Sequence, residues 1–182
     1  VTGNRFSGNQ TTAQGNGHGG GLALYTCRAA EVKANVFDAN SGGRSADAEG
    51  GAAVIRNCLY GVFSDNVVTN NSSGGGLSVG GGLLLGSSQY ATVSGNRFEG
   101  NTANRYSGKG GGIYVDGSRD LTLTGNVIRG NKGSSSETHN SWGGGVYLSE
   151  TGPHTITNNA LVDNQVTADG GTADESVRTT RR

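Results

Sequence analysis

One block of about 30 residues recurs five times along this chain of 182 residues, and the repeat limits the fold more than any other feature. Each copy begins at a Gly-rich start, followed by two apolar residues two positions apart, as in Leu83 and Leu85. Another apolar residue lies eight positions after the second, as Val93 does here. Spacing that stays fixed in every copy indicates a solenoid in which equivalent positions lie side by side.

Two asparagines complete each copy, three and eight positions after that last apolar residue, with a further apolar residue between them. Asn can adopt left-handed backbone angles at a tight bend, and its amide can hydrogen-bond to stacked Asn side chains on either side. The sequence therefore predicts two structural ladders of asparagines. The first contains Asn35, Asn66, Asn96, Asn126 and Asn159, and the second contains Asn40, Asn71, Asn101, Asn131 and Asn164.

Each copy keeps a constant length from its Gly-rich start to its second Asn and varies only after it. The constant part predicts three short strands with alternating inward residues, and the variable part predicts a surface loop on one edge. Stacked coils of this kind give an all-β, right-handed single-stranded parallel β-helix of about five to six coils of 30–33 residues. Residues 1–164 are assigned to the coils, and 165–182 to a polar C-terminal tail or an incomplete final coil.

Composition excludes several classes of protein. Lys and Arg number 14, as do Asp and Glu, so the net charge of zero gives no basic surface for nucleic acid. No run of 18 apolar residues is present, so we expect no membrane insertion of this segment. The 35 glycines cluster instead of recurring at every third position, which excludes collagen. Because the chain starts at Val1 and not at Met, we expect a processed form or a piece of a longer protein.

The repeats resemble those of known proteins. The block that runs from Ile113-Tyr114-Val115 through Asn126-Val127-Ile128 to Asn131 is similar to the repeats of right-handed β-helix proteins, the fold of pectate-lyase-like enzymes and many secreted bacterial proteins. The Gly-Gly starts together with Phe6-Ser7-Gly8-Asn9 and Phe98-Glu99-Gly100-Asn101 also resemble the Gly-Gly-Ala and Phe-x-x-Asn repeats of polymorphic outer-membrane adhesins. The resemblance covers about nine tenths of the chain. It implies a fold but no single function, because this fold carries many unrelated activities.

The two cysteines occupy the same position in adjacent copies. Cys27 lies three residues after Leu24, and Cys58 lies three residues after Ile55. Stacking would place their Cα atoms about 5 Å apart, within the range of a disulfide. We predict a Cys27–Cys58 bridge and an extracellular or cell-surface location, with free thiols as the alternative. Neither cysteine has a second thiol or a His at ligand spacing, so we expect no metal site and no cofactor.

Enzymes of this fold, as the resemblance implies, bind acidic polysaccharides on an outward face with clustered Asp, Arg and Lys. The outward positions of the first strand carry no carboxylate and no base, and we therefore predict no catalytic residue. They are Ala23, Val54, Leu84, Tyr114 and Tyr147. The three histidines, His18, His139 and His154, fall in variable segments or turns and are interpreted as solvated or structural.

Val54, Leu84, Tyr114 and Tyr147 together predict an outward apolar strip suited to docking a loop, a protein or a sugar ring. The alternative is that the variable segments fold back and cover it. Those segments supply Tyr106 and Trp142, which we add to the candidate binding residues because aromatic rings stack on glycans. Their charged residues, Arg44, Arg105 and Lys109, can hydrogen-bond to the same ligands.

These observations predict an extracellular, non-catalytic β-helix segment of a cell-surface adhesin or structural fibre. Its partner would be a glycan or a surface protein. Two alternatives stay open at this point. One is a fragment of an enzyme similar to polysaccharide lyases or hydrolases, and the other is a filament subunit whose coils associate end to end.

Overall fold

A computed structural model of the protein describes residues 1–11, 16–43, 47–135, 140–149, 152–168 and 173–174. All regular secondary structure in these ranges is β-strand, and every strand pair is parallel. The strands form four sheets that run along the molecule, and successive strands of a sheet come from successive coils. The predicted all-β parallel solenoid is therefore confirmed, with about five coils.

The four sheets are numbered here in the order in which a coil follows them from its Gly-rich start. Sheet 1 contains Leu22–Tyr25, Ala53–Arg56, Leu83–Gly86, Ile113–Asp116 and Val146–Ser149. Sheet 2 contains Glu31–Lys33, Val62–Ser64, Thr92–Ser94, Leu121–Thr124 and His154–Thr157. Sheet 3 contains Arg5–Ser7, Val36–Asp38, Val67–Thr69, Arg97–Glu99, Val127–Arg129 and Ala160–Val162. Sheet 4 contains Gly17–His18, Ala48–Glu49, Ser72–Val79, Thr102–Lys109, Lys132–Ser135, Ser141–Trp142, Gln165–Ala168 and Ala173–Asp174.

The core lies inside the coils and is built from the predicted apolar columns. In the register of sheet 1, Leu83 pairs with Ala53 on one side and Ile113 on the other. Aromatic rings stack along the axis, with the centroids of Phe37 and Phe63 5.9 Å apart. Because each inward side chain contacts its equivalents above and below, one continuous core forms from few large residues.

Both predicted asparagine ladders are present at the bends on either side of sheet 3. The Asn71 side chain is fully buried and donates to the Oδ1 atom of Asn101 at 2.9 Å. Its second amide hydrogen goes to the carbonyl oxygen of Phe37 at 3.0 Å. The Asn101 Oδ1 atom also accepts the backbone N–H of Asn71. These bonds satisfy polar backbone groups at a bend that water cannot reach.

Sheet 4 differs from the expectation that the stretch after the second Asn is a surface loop. Ser72–Val79 and Thr102–Lys109 are eight-residue strands, paired in register from Ser72 opposite Thr102 to Val79 opposite Lys109. Gly, Ser and Asn have low strand propensity, but these two segments have equal length and follow equally fixed bends. The backbone hydrogen-bond ladder of sheet 4 therefore extends through both segments, because pairing with the strands of adjacent coils outweighs the low strand propensity of these residues.

Parallel pairing also continues beyond Asn164, where the sequence predicts a tail or an incomplete coil. Gln165–Ala168 pairs with Lys132–Ser135, and Ala173–Asp174 pairs with Ser141–Trp142. These described residues of the C-terminal segment thus belong to a further coil.

The Gly-rich starts allow successive coils to approach closely. A Cβ atom built on Gly81 would lie 2.5 Å from the carbonyl oxygen of Gly111 and even closer to the carbonyl carbon of Thr102. Both obstacles are backbone atoms of the sheet ladder, so neither can move aside cheaply.

Gly81→Ala should therefore lower the free energy of unfolding by about 3 kcal/mol, measured by urea denaturation. Gly61→Ala is the matched control, because its Cβ would have only the Ala30 carbonyl oxygen nearby, at 3.9 Å. This control should be neutral or stabilise by up to about 1 kcal/mol. Equal losses in the two variants would contradict the close approach at Gly81.

Candidate functional site

The predicted apolar strip is covered, which decides between the two alternatives that the sequence leaves open. Val54 and Leu84 are 0% exposed, and Tyr114 and Tyr147 are 7% and 8% exposed. Val79, from sheet 4, packs over them, and Trp142 adds a partly buried ring. The four residues of the strip therefore form a second small core between sheets 4 and 1, and not an exposed docking surface.

An aromatic stack closes one end of this second core. The ring centroids of Tyr114 and Tyr147 are 5.7 Å apart, and those of Tyr147 and Trp142 are 6.2 Å apart. The ammonium of Lys109 lies 4.8 Å from the centre of the Trp142 ring. Burial lowers the pKa of Lys109 from its usual value, and the charge of nearby Asp116 partly opposes this. Trp142, a predicted binding residue, is thus mainly engaged in packing.

Asp116 and Ser149 meet the hydroxyl of Tyr114 at the same end. Burial raises the pKa of Tyr114 far above its ordinary value, and the charge of Asp116 adds to the shift. Hydrogen bonding of the Tyr114 side chain with Ser149 opposes the rise in its pKa, and hydrogen bonding with Asp116 adds to it.

A second charged group lies at the other end, around Glu49. Its carboxylate accepts from Arg56 at 2.7 Å and lies 2.8 Å from Nδ1 of His18.

His154, in sheet 2, accepts the backbone N–H of Leu121 through Nδ1 at 3.2 Å. Burial lowers the pKa of His154, opposed by the charge of Asp120. His139 and Arg44 lie outside the described residues.

An open cleft of about 440 Å³ lies on sheet 4, away from the strip. Gly43 and Gly74 leave room for the cleft because they have no side chains, and an added Cβ on Gly74 would lie 2.8 Å from Oδ1 of Asn104. Its remaining lining residues carry hydroxyl, amide and guanidinium groups, and they are Ser41, Ser72, Asn104 and Arg105.

The backbone at Arg105 marks this cleft as unusual. Arg105 has a φ of 108°, which is a strained conformation for a residue with a long side chain. In the register, Gly75 lies opposite Arg105 and Leu77 opposite Ser107, so the intervening residues leave the regular ladder there. At this irregularity the Tyr106 side chain is turned outward and is 42% exposed. The Arg105 guanidinium lies 6.0 Å from the centre of the Tyr106 ring.

Of the six predicted binding residues, only Tyr106 is thus brought beside an open polar cleft. Ser41, Ser72 and Asn104 were missed because the sequence predicted loops where sheet 4 lies. The signal for Ser41 and Ser72 was their equal spacing, since each directly follows the second Asn of its coil.

The predicted bridge between Cys27 and Cys58 is present, with Cα atoms 4.5 Å apart. Cys58 is fully buried, and its backbone N–H donates to the hydroxyl oxygen of Ser88 at 3.2 Å. Ser88 in turn donates its N–H to the hydroxyl of Ser118 at 3.0 Å, so the column continues as serine beyond the bridge. Disulfides persist in oxidising compartments, which suggests an environment outside the cytosol.

Within the described ranges, no group of three or more His, Cys, Asp or Glu side chains is placed to hold a metal ion. The same part of the chain contains no helix that is long and apolar enough to cross a membrane.

Parallel coils, two asparagine ladders and a continuous axial core define the class of β-solenoid proteins. The family model described as right handed beta helix region matches residues 1–177, and the chain therefore belongs to the right-handed β-helix family. Comparison with curated proteins and with solved structures gives no significant match.

Proposed function

We propose that this chain is a glycan-binding segment of an extracellular β-helix protein, and that the cleft on sheet 4 is its binding site. The observation that carries the proposal is the exposed ring of Tyr106 beside a polar cleft lined by Arg105 and Asn104. Sugars are bound by aromatic rings that pack on their C–H faces and by polar groups that hydrogen-bond to their hydroxyls. This cleft offers both.

The chemistry of the lining favours a sugar over an apolar small molecule. Serine hydroxyls at Ser41 and Ser72 both donate and accept, the Asn104 amide does the same, and the Arg105 guanidinium only donates. A dense set of mixed donors and acceptors matches hydroxyl groups, which also do both. The coil rise of about 4.8 Å is close to the length of one sugar ring, so equivalent residues of adjacent coils can contact successive rings.

The wider role that we propose is that of a non-catalytic adhesin or structural fibre at a cell surface. Support comes from the disulfide, which is typical of extracellular proteins, and from the resemblance of the Gly-Gly and Phe-x-x-Asn repeats to those of outer-membrane adhesins. End-to-end association of coils stays a prediction. It would appear as light scattering that grows with protein concentration.

The binding site is tested with the full chain on an array of immobilised neutral and uronate oligosaccharides, followed by calorimetry with the best ligand. Tyr106→Ala should weaken binding about tenfold, because stacking on an aromatic ring contributes on the order of 1–2 kcal/mol. Tyr25→Ala is the matched control, since Tyr25 is 45% exposed but lies on sheet 1. No binding to any glycan, or equal losses in both variants, would contradict the proposal.

A polysaccharide-active enzyme is the second candidate, favoured by the grouping of Lys109, Asp116 and Tyr114. A half-buried lysine near a carboxylate and a hydroxyl is an arrangement that acid–base chemistry can use. Turnover of a uronate polymer that is lost in Asp116→Asn would support this candidate and overturn the non-catalytic role.

A further inference from the structure

Two exposed tyrosines stack at the corner where the chain passes from sheet 1 to sheet 2. Tyr60 and Tyr90 occupy equivalent positions of adjacent coils, with ring centroids 5.1 Å apart and ring planes 14° from parallel. They are 47% and 48% exposed. Sequence reasoning did not single them out, because they fall in turns between strands. We call this corner, with the neighbouring Arg28 and Arg119, the tyrosine ridge.

The backbone under both tyrosines is in the left-handed region. Tyr60 has a φ of 56° and Tyr90 a φ of 55°. Elsewhere in the described chain, the non-glycine residues with positive φ are Ala, Ser, Thr, Asn or Asp, apart from Arg105 at the cleft. Asn or Asp would fit these turns with less strain than a bulky aromatic residue. Strained residues of this kind cluster at functional sites, so two adjacent ones point to a role beyond turn formation.

The two faces of the Tyr60 ring are covered, which limits what can bind there. Tyr90 covers one face of Tyr60, and the Arg28 guanidinium lies 5.1 Å from the centre of the Tyr60 ring. The edges and hydroxyls are left to face solvent, and among the described residues neither hydroxyl has a hydrogen-bond partner. Aromatic edges carry partial positive charge and the hydroxyls donate hydrogen bonds, so the ridge suits carboxylates and peptide carbonyls better than the C–H face of a sugar.

Two arginines flank the tyrosines at a defined distance. Arg28, Leu59, Gln89 and Arg119 form one ladder of parallel bridges, so three coil steps, about 14 Å, separate the backbones of the two arginines. Neither arginine belongs to an ion pair among the described residues, although Asp120 follows Arg119 in the chain. Both guanidinium groups are therefore available to a partner with matching carboxylates.

We propose that the tyrosine ridge docks an extended acidic segment of a partner protein, in which two carboxylates lie four residues apart. An extended chain rises about 3.3 Å per residue, so four steps span about 13 Å, close to the separation of the Arg28 and Arg119 backbones. Residues four apart also point to the same side of an extended chain. The carboxylates pair with the two arginines, and the backbone between them receives the hydroxyls of Tyr60 and Tyr90. Tyr and Arg are the residue types that most often dominate protein interfaces.

The test is fluorescence anisotropy with the full chain and a labelled peptide of sequence Gly-Asp-Ser-Thr-Ser-Asp-Gly. A peptide with its two Asp residues adjacent and a peptide with both replaced by Asn serve as ligand controls. The two protein variants are Tyr60→Asn/Tyr90→Asn, which suits the left-handed turns, and Arg28→Gln/Arg119→Gln. Arg129→Gln, an exposed arginine on sheet 3, is the protein control. Thermal melting of each variant shows whether the fold is kept.

We expect the natural chain to bind the peptide whose two Asp residues lie four apart. Binding should be at least tenfold weaker for both control peptides, and at least tenfold weaker for this peptide with both ridge variants. The Arg129→Gln variant should bind it as the natural chain does. The melting temperature of the tyrosine variant should stay level or rise, because Asn relieves the backbone strain. Absence of binding, equal binding of both Asp spacings, or full binding by the tyrosine variant would overturn the proposal. The proposal would also be overturned if the ridge variants lost oligosaccharide binding but kept peptide binding. The cleft on sheet 4 is a separate surface, so the glycan proposal stands or falls on its own experiment.

Discussion

Asn101→Ala should lower the free energy of unfolding by about 4 kcal/mol, the largest loss that we expect from one side chain. Asn101 is fully buried and accepts from both the backbone N–H and the side chain of Asn71. It donates to the carbonyl oxygen of Val68 at 2.8 Å and to Oδ1 of Asn131 at 2.9 Å. Alanine would leave buried donors and an acceptor without partners, and each such group costs about 1–3 kcal/mol.

Asn9→Ala is the matched control from the same ladder. Asn9 is exposed, and its side chain makes one described bond, a donation to Asn40 at 2.9 Å. Its removal should cost no more than about 1 kcal/mol. Urea denaturation followed by circular dichroism measures both variants. If Asn101→Ala were no more destabilising than Asn9→Ala, the ladder would not be a major source of stability.

Removing the disulfide should cost about 3–4 kcal/mol, because it closes a loop with a sequence separation of 31 residues. The informative variant is Cys27→Ser/Cys58→Ser. Serine already occupies this column at Ser88 and Ser118, where its hydroxyl oxygen accepts a backbone N–H from the preceding coil. The variant can therefore keep the local hydrogen bond, and the measured loss reports the covalent link.

Reducing agent supplies the internal control for this second prediction. Dithiothreitol should lower the stability of the natural chain to that of the double serine variant and leave the variant unchanged. A natural chain that does not respond to reduction, while its disulfide is shown to be open, would contradict the expected contribution.

The fold could be predicted from the sequence because its determinants are local and repeated. Asn at fixed spacing specifies the two bends around sheet 3, and the alternating residues Leu83 and Leu85 specify an inward face. The disulfide followed from the same register. Sheet 4 was missed because its residues are those of loops, and its pairing depends on strands about 30 positions away.

The candidate sites were harder to predict for a related reason. Whether Val54 and Leu84 are exposed depends on how sheet 4 folds against sheet 1, and the packing of Val79 settles it. Tyr60, Tyr90 and Arg105 carry their signal in backbone angles, which a sequence does not display. The other coils carry Ala29 and Asp120 at the position of Tyr60 and Tyr90, so a large residue where small or turn-forming residues recur would have been the pattern to look for.

The asparagine ladders also give the molecule a direction. Asn35 donates to Asn66, Asn66 to Asn96, and Asn96 to Asn126, always toward the coil that follows in the chain. Each ladder is thus a row of aligned amide dipoles, in which one hydrogen bond polarises the next. The row has a donor end and an acceptor end, like the backbone of the parallel sheets. Two solenoids of this type could share a ladder only in a head-to-tail arrangement, so any assembly that continues the coils has polarity.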